Sequence, residues 1–369
     1  MKHLRKIVIA LSIVLVSLIL SAFKINATDF TLTIKAGDKE YVYSYPQVDV
    51  FNGELYLKGI DGVAEEIYYD SLIRPVEAEI YLKSDGKGQF EYKKEKSGLG
   101  INRDKIKEEI LHALKTKSPS LCIPYEVILP KTTVFELKNY TFLRGSFYTD
   151  YASSSAERKA NISLAAQFLT CVKIEDGEEF SFNETVGTRS EDRGFKKAKI
   201  IVDGKFVDGV GGGVCQVSTT LYNALLMSGI FPTEWHRHTL KVGYVDAGFD
   251  AMVNENTSDL KFKNDTGGLI FIEAVAYKNR LIVNVYGKKN ECKYERVSVV
   301  DEVIEPDEYE IVFNKDLLYG EENVIQNAKN GLKSSSYLRI YKDGKLIGTK
   351  KLRTDIYKPI RGIKEVGLA

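Results

Sequence analysis

The chain has 369 residues, a formal net charge of +1 and 44% hydrophobic residues. This composition is typical of globular protein and excludes disorder over most of the length. The neutral charge balance gives no support for a nucleic-acid binder, which needs a basic surface. Four cysteines are too few for a disulfide framework, and their spacing matches no zinc motif. The length indicates two or three domains.

The N-terminus indicates export. Lys2, Arg5 and Lys6 precede an uncharged, mostly apolar stretch, residues 7–23. A basic start followed by such a stretch is typical of an export signal or a membrane anchor, and both predictions stay open for residues 1–27. In either case the rest of the chain is expected outside the cytoplasm, anchored to the membrane or secreted to the cell wall.

Residues 28–135 are predicted to form a small α+β unit. A hairpin over residues 48–57 turns at Asn52-Gly53, and a further strand pair is expected around Asp85. A helix is expected near the end of this unit, because apolar side chains recur there at helical spacing, namely at Ile106, Ile110, Leu111 and Leu114.

Residues 140–290 are predicted to form a mixed α+β unit. Ser154 and Glu157 have the spacing of a capping box at the start of a helix. The apolar stripe of that helix is predicted to be Ala156, Ala160, Leu164 and Phe168. A second helix is expected over 214–228 and strands after it, with a charged linker at 287–296. Of the cysteines, Cys122 and Cys171 are expected to be structural.

Residues 295–369 are predicted to be all-β, with a hairpin that turns at 342–345. The predicted fold class is therefore α+β and multidomain. It consists of a small α+β N-terminal unit, a mixed α+β unit and an all-β C-terminal domain.

The most unusual local feature is the run Gly-Gly-Gly-Val-Cys-Gln-Val-Ser-Thr-Thr at residues 211–220. Consecutive glycines allow positive φ angles and a close approach of the backbone to a ligand. The first N–H groups of the helix that follows can bind an anion or an oxyanion. Cys215 lies in the first turn, where the helix dipole lowers a thiol pKa. Helical spacing places Ser218, Thr219 and Tyr222 on the same face as Cys215.

His236 and His238 form the only histidine pair of the chain. A cysteine at a helix start with a histidine close by is the layout of a thiol acyltransferase or peptidase. The carboxylates that could orient the imidazole are Asp246, Asp250 and Asp259.

Two alternatives to this thiol site stay open. Free cysteine is among the most buried residue types, so Cys215 can be structural and the glycine run can serve packing. A metal site on His236 and His238 is the other alternative, although no third ligand is identifiable.

These residues resemble the VanW family, which is named for an accessory gene of vancomycin-resistance clusters. The resemblance covers roughly residues 140–290. Its motifs lie at residues 147–149, 158–162, 180–187, 193–195, 211–223, 236–238, 248–251 and 259–264. Residues 28–135 are similar to the peptidoglycan-binding domain that often precedes VanW domains. Residues 295–369 are similar to a degenerate five-glycine domain.

The resemblance implies a cell-envelope protein that binds or acts on peptidoglycan or its precursors, linked to the response to glycopeptide antibiotics. It brings no established reaction. The candidate catalytic residues are Cys215, His236, His238 and Asp250. The candidate ligand-binding residues are Gly211, Gly212, Gly213, Gln216, Ser218, Thr219, Asn183 and Arg193.

Three functions therefore stay open at this point. The first is a non-enzymatic envelope module that binds wall glycan or peptides. The second is a thiol enzyme in which Cys215 is the nucleophile and N–H groups of the glycine turn hold the oxyanion. The third is a metal-binding envelope protein. No cofactor is expected, the membrane is a partner if the N-terminal segment is uncleaved, and the sequence does not indicate an oligomeric state.

Overall fold

The structure is a computed structural model that describes residues 26–202 and 205–367, with the side chains of 201, 202, 205 and 206 excepted. Nearly all of the predicted signal or anchor segment lies outside these residues. The described residues form two compact units, one within Met1–Glu79 and Lys93–Val134 and one within Ile80–Tyr92 and Phe135–Ala369. Among the helices of the described residues, none has the length and apolar character needed to span a membrane.

The helices of the described residues are α1 (Ile60–Ser71), α2 (Arg103–Thr116), α3 (Val134–Leu137), α4 (Ala156–Leu169), α5 (Phe182–Val186) and α6 (Val214–Met227). The strands before α4 are β1 (Leu32–Ala36), β2 (Lys39–Tyr43), β3 (Val48–Phe51), β4 (Glu54–Leu57), β5 (Glu79–Leu82), β6 (Phe90–Lys93), β7 (Gly98–Gly100), β8 (Ser120–Ile123), β9 (Glu126–Ile128) and β10 (Phe142–Asp150).

The strands that follow α4, up to the end of the mixed unit, are β11 (Val172–Ile174), β12 (Glu179–Ser181), β13 (Lys197–Val202), β14 (Lys205–Val210), β15 (Pro232–Glu234), β16 (Lys261–Lys263), β17 (Ile270–Tyr277) and β18 (Arg280–Gly287). The C-terminal strands are β19 (Cys292–Ile304), β20 (Glu310–Tyr319), β21 (Glu322–Gln326), β22 (Gly331–Lys342), β23 (Lys345–Tyr357) and β24 (Ile363–Gly367).

The first unit is α+β. Its three-stranded sheet has the order β2-β1-β8, and β1 runs antiparallel to β2 and parallel to β8. The hairpin β3–β4 confirms the prediction from Asn52-Gly53, because both residues have the positive φ that a tight hairpin turn requires. Helix α2 is confirmed, but Leu111 is half-exposed, so its place in the apolar stripe was wrong. Cys122 is exposed rather than buried.

The second unit centres on α6, which packs against β10 and β18 of the four-stranded antiparallel sheet β10-β18-β17-β11. The structure confirms the helix predicted at residues 214–228. Helix α4 begins one residue later than the capping box indicated, since Ser155 caps it by accepting a hydrogen bond from the N–H of Arg158. Its buried face consists of Asn161, Ile162, Ala165, Ala166 and Leu169. Of the predicted stripe, Leu164 and Phe168 pack against this core while partly buried, whereas Ala156 is exposed.

The C-terminal stretch confirms the all-β prediction, with the sheets β19-β22-β23 and β20-β24-β21. The long hairpin β22–β23 turns at Asp343-Gly344, where φ is positive at both residues. The predicted linker is shorter than expected, because β18 ends at Gly287 and β19 already begins at Cys292. Leu338 of β22 is fully buried in the same core as α6, so this sheet is part of the packing around the helix.

Candidate active site

The glycine run brings two arginines against the start of α6. Gly213, the N-cap residue, has φ +113°, and a Cβ there would lie 3.0 Å from Cγ of Arg158. Gly211 has φ +84°, and a Cβ there would lie 3.0 Å from Cβ of Arg189. Glycine is required at both positions, because the backbone conformation disfavours other residues and the arginine stems leave no room for a side chain.

Several N–H groups of this turn are engaged within the fold. The N–H of Val214 donates to the carbonyl of Gly211 (3.1 Å), and the N–H of Gln216 donates to that of Gly213 (3.0 Å). The N–H of Gly211 donates to the carbonyl of Lys196. The prediction that N–H groups of the turn hold an oxyanion is therefore wrong for these three, since each already has a partner.

The structure brings together Cys215, His238 and Asp250. The thiol of Cys215 is half-buried, donates to the carbonyl of Val253 (3.3 Å) and interacts electrostatically with the ring of His238. His238 Nδ1 lies 2.7 Å from Oδ2 of Asp250. Because Nδ1 is engaged by this carboxylate, Nε2 is the ring nitrogen left to serve the thiol. This is the nucleophile–base–carboxylate order of a catalytic triad.

The three groups favour charge separation. Burial alone would raise the pKa of the Cys215 thiol, but the hydrogen bond and charge of His238, with a smaller contribution from Arg189, lower it below its usual range. Burial would likewise lower the pKa of His238, but the bonds to Asp250 and Cys215 raise it to about 9. The pKa of Asp250 falls to about 2, because His238 and Arg353 outweigh the effect of burial. Both shifts act in the direction of a thiolate beside an imidazolium.

His236, by contrast, pairs with a different carboxylate. Its Nε2 lies 3.0 Å from Oε1 of Glu234, and its side chain is about a third exposed. Asp246 is exposed and lies 3.7 Å from Arg296, while Asp259 accepts a hydrogen bond from Ser181. Of the predicted histidines and carboxylates, His238 and Asp250 are therefore the ones at Cys215. In the part of the chain that the structure describes, no group of three or more His, Cys, Asp or Glu side chains could hold a metal ion.

Ser218 and Thr219 were predicted to contact a ligand, and the structure gives them another role. Both are fully buried, and both hydroxyls donate to the carbonyl of Ala251, at 2.6 and 3.3 Å. Thr219 also accepts a hydrogen bond from the N–H of Ala251. The prediction was wrong because α6 is buried on nearly every side, so its polar face meets protein backbone. These hydroxyls fix the segment next to Asp250.

Comparison with known proteins gives two family matches. The model described as VanW-like protein matches residues 157–286, and the model of the G5 domain matches residues 295–369. This chain carries a VanW-like domain followed by a G5 domain. Both resemblances read from the sequence are thereby confirmed, whereas the peptidoglycan-binding nature of residues 28–135 stays a prediction.

Two curated relatives match the VanW-like domain. Protein YoaR of Bacillus subtilis (strain 168) is 40% identical over 142 residues, which cover 38% of this chain and 47% of YoaR. The vancomycin B-type resistance protein VanW of Enterococcus faecalis (strain ATCC 700802 / V583) is 30% identical over 134 residues, 35% of this chain and 49% of that protein. The chain thus matches about half the length of each relative.

Two solved structures match the G5 domain. The crystal structure of HP0197-G5 is 27% identical and covers 21% of this chain and 100% of its own length, with a TM-score of 0.13. The IgA1 protease G5 domain structure is 26% identical and covers 22% of this chain and 94% of its own length, with a TM-score of 0.16.

The G5 domain supplies two partners of Asp250 that the sequence did not reveal. From β23, Nη2 of Arg353 lies 2.9 Å from Oδ1 of Asp250, and the hydroxyl of Tyr357 donates to the same oxygen. Arg353 also pairs with Asp355 at 2.6 Å, and Tyr357 accepts from the N–H of Gly248 at 2.8 Å. Both oxygens of the Asp250 carboxylate are therefore engaged, one by the VanW-like domain and one by the G5 domain.

The other predicted ligand-binding side chains of the VanW-like domain support neighbouring groups. Asn183 accepts a hydrogen bond from Nη2 of Arg189 (2.6 Å), and so holds the arginine that packs on Gly211. Arg193 donates to the carbonyls of Val186 and Thr188 at 2.8 and 2.7 Å. Gln216 is buried and accepts from Nη1 of Arg158 at 2.9 Å. In this structure these side chains position arginines and a loop.

Proposed function

We propose that this chain is an exported cell-envelope protein that acts on peptidoglycan through Cys215 as nucleophile, transferring or hydrolysing an acyl group of its peptides. The observation that carries the proposal is the buried chain of contacts from Asp250 through His238 to the half-buried Cys215 thiol. A structural cysteine does not need a histidine whose second nitrogen is fixed by a carboxylate. The lowered pKa of the thiol agrees with a reactive role.

The geometry supports a two-step reaction. The Cys215 thiolate attacks the carbonyl carbon of a peptide bond and forms a C–S bond. The C–N bond then breaks, and the leaving nitrogen takes the proton of the His238 imidazolium. Water or an acceptor amine next attacks the thioester carbonyl carbon and gives up a proton to His238. The C–S bond then breaks, which releases the product and restores the thiolate beside the imidazolium. Asp250 keeps the ring in one orientation and stabilises its positive charge throughout.

The location and the substrate rest on sequence and similarity. The basic start and the apolar residues 7–23 support export. One relative of the VanW-like domain is named a vancomycin B-type resistance protein. Residues 28–135 are predicted from the sequence to form a peptidoglycan-binding domain. Together these features favour a peptidoglycan peptide over a soluble substrate.

The test compares the full chain with its Cys215→Ala and Cys122→Ala variants on purified peptidoglycan. Cys122 is the matched control, since it is exposed and lies in the other unit. We expect the wild type and Cys122→Ala to change the muropeptide profile and Cys215→Ala to leave it unchanged. If wild type and Cys215→Ala change the muropeptide profile equally, the thiol mechanism is wrong. Binding to peptidoglycan with no change of profile by any of the three would support a binding module instead.

A further inference from the structure

A cavity of about 880 Å³ lies beside the start of α4 in the second unit. Its lining includes three cationic side chains, those of Arg158, Lys199 and Arg296, and the hydroxyl residues 153–155. Asp150 is the only carboxylate among the lining residues, and its Oδ1 accepts a hydrogen bond from the N–H of Ala152. The cavity is therefore cationic before any ligand enters.

Of these three cations, Arg158 is the one with no carboxylate among its hydrogen-bond or ion-pair partners in the described residues. Its Nη1 donates to Oγ of Ser154 (2.7 Å) and to Oε1 of Gln216 (2.9 Å), both neutral groups. Gln216 is itself fixed by donating to Thr149 and to the carbonyl of Asp150. Burial desolvates the positive charge of Arg158 and so lowers its pKa. A guanidinium that is desolvated and held by neutral groups gains most from an anionic ligand.

The other two cations are partly compensated. Lys199 pairs with Asp208 at 3.1 Å, and both side chains are exposed. Arg296 donates to Oδ1 of Asn223 at 2.7 Å and lies over the rings of Phe147 and Phe249 at 4.2 and 4.7 Å. Its carboxylate neighbour, Asp246, is 3.7 Å away and mostly solvated. Arg296 therefore adds further positive charge to the cavity.

The cavity borders the candidate active site. The stem of Arg158 packs on Gly213, two residues before Cys215, and the charges of Arg158 and Cys215 interact. Tyr244 lines the same cavity, with its ring 5.9 Å from the guanidinium of Arg158. A ligand whose anionic end meets Arg158 therefore lies beside Gln216, the residue that follows Cys215 on α6.

We propose that this cavity, with Arg158 as its principal cation, binds an anionic oxygen group of a ligand, either a peptide carboxylate or a phosphate. That this ligand is a substrate rests on the proposed function. Its binding to the cavity does not require a reaction at Cys215. Arg158 provides a planar fork that can pair with two oxygens at once. The hydroxyls of 153–155 add donors on the same wall.

The experiment measures binding by isothermal titration calorimetry to the full chain carrying Cys215→Ala, which removes the nucleophile. The probes are a short peptide with a free C-terminal carboxylate, the same peptide with a C-terminal amide, and inorganic phosphate. Arg158→Gln removes the charge and Arg158→Lys keeps the charge and most of the stem. Arg339→Gln is the matched control, since Arg339 lies on β22 in an exposed pair with Glu295.

We expect the free-acid peptide or phosphate to bind, and the amide to bind at least about tenfold more weakly than the acid if the carboxylate is the recognised group. Arg158→Gln should weaken the binding about tenfold or more, Arg158→Lys less, and Arg339→Gln not at all. Binding of phosphate alone would identify the anion as a phosphate. Equal binding by the acid and amide peptides without phosphate binding, or anion binding that survives Arg158→Gln, would overturn the proposal. Because Cys215 is already replaced, such a failure would leave the thiol mechanism to be judged by the muropeptide experiment.

Discussion

The two sides of Cys215 differ in how their charges are balanced. On one side, His238, Asp250 and Arg353 follow each other with alternating charge, and each contact is within hydrogen-bond distance. On the other side, Arg158 has only neutral hydrogen-bond partners in the structure. The charges of His238, Asp250 and Arg353 are thus balanced within the fold. By the proposal above, the counter-charge of Arg158 comes from a ligand. The predictions below test this contrast, beginning with the largest expected effect.

Asp250→Asn should destabilise the protein most. The substitution leaves Arg353 and His238 buried without their common carboxylate, which costs roughly 3–5 kcal/mol of unfolding free energy. Asp246→Asn is the control, because Asp246 is exposed and its change should stay within about 0.5 kcal/mol. Urea unfolding of the full chain measures both variants. Equal effects of the two substitutions would show that the Asp250 network is not needed for stability.

The effect of Asp250→Asn should also depend on pH. The pKa of Asp250 is lowered to about 2, so its contribution to stability is present above the ordinary value of 3.8 and is lost as the pH falls through about 2. His238 stays protonated over this range, since its pKa is raised to about 9. The difference in unfolding free energy between wild type and Asp250→Asn should shrink by roughly 2 kcal/mol between pH 5 and pH 2. A difference that is constant over this range would argue against an ionised, paired Asp250.

Arg353→Lys should have a smaller effect of roughly 1–2 kcal/mol. Lysine keeps the charge but cannot donate at once to Asp250, Asp355 and the carbonyl of Gly248 as the guanidinium does. Arg339→Lys, on the neighbouring strand and exposed, is the control. Thermal unfolding should show a lower Tm for Arg353→Lys and an unchanged one for Arg339→Lys. An unchanged Tm for both would mean that the G5 domain does not support Asp250.

Arg189→Gln should have the smallest effect, a slight decrease in the reactivity of the Cys215 thiol. Arg189 lowers the pKa of Cys215 by its charge, as the last of several contributions. Its loss should raise that pKa, which slows the alkylation of Cys215 at neutral pH. Arg361→Gln, at an exposed site in the G5 domain, is the control. Faster alkylation in Arg189→Gln would contradict the assigned direction.

Local sequence patterns predicted the elements that depend on few neighbouring residues. The turn at Asn52-Gly53 and the glycine-bounded helix α6 follow from backbone preferences alone. The types of Cys215, His238 and Asp250 made them candidates, and α6 with the segment at 248–253 brings them together. The choice of His238 over His236 needed the structure, because both histidines lie in the same short segment.

Two features could not be read from the sequence. Arg353 and Tyr357 reach Asp250 from more than 100 residues away, and no local motif marks a contact of that kind. From the sequence alone, Ser218 and Thr219 are predicted to form an exposed polar face of α6, because the sequence does not show what surrounds the helix. Once the helix is buried on nearly every side, their hydroxyls bond the backbone of Ala251 instead.

The most direct test of the thiolate–imidazolium site is the pH dependence of alkylation at Cys215 in the full chain, followed by mass spectrometry of its peptide. Cys122 serves as the internal reference, because it is exposed in the same molecule. We expect the midpoint for Cys215 to lie clearly below the ordinary thiol pKa of 9.0 and to rise in His238→Gln. A Cys215 that titrates together with Cys122, or whose midpoint does not move in His238→Gln, would contradict the account.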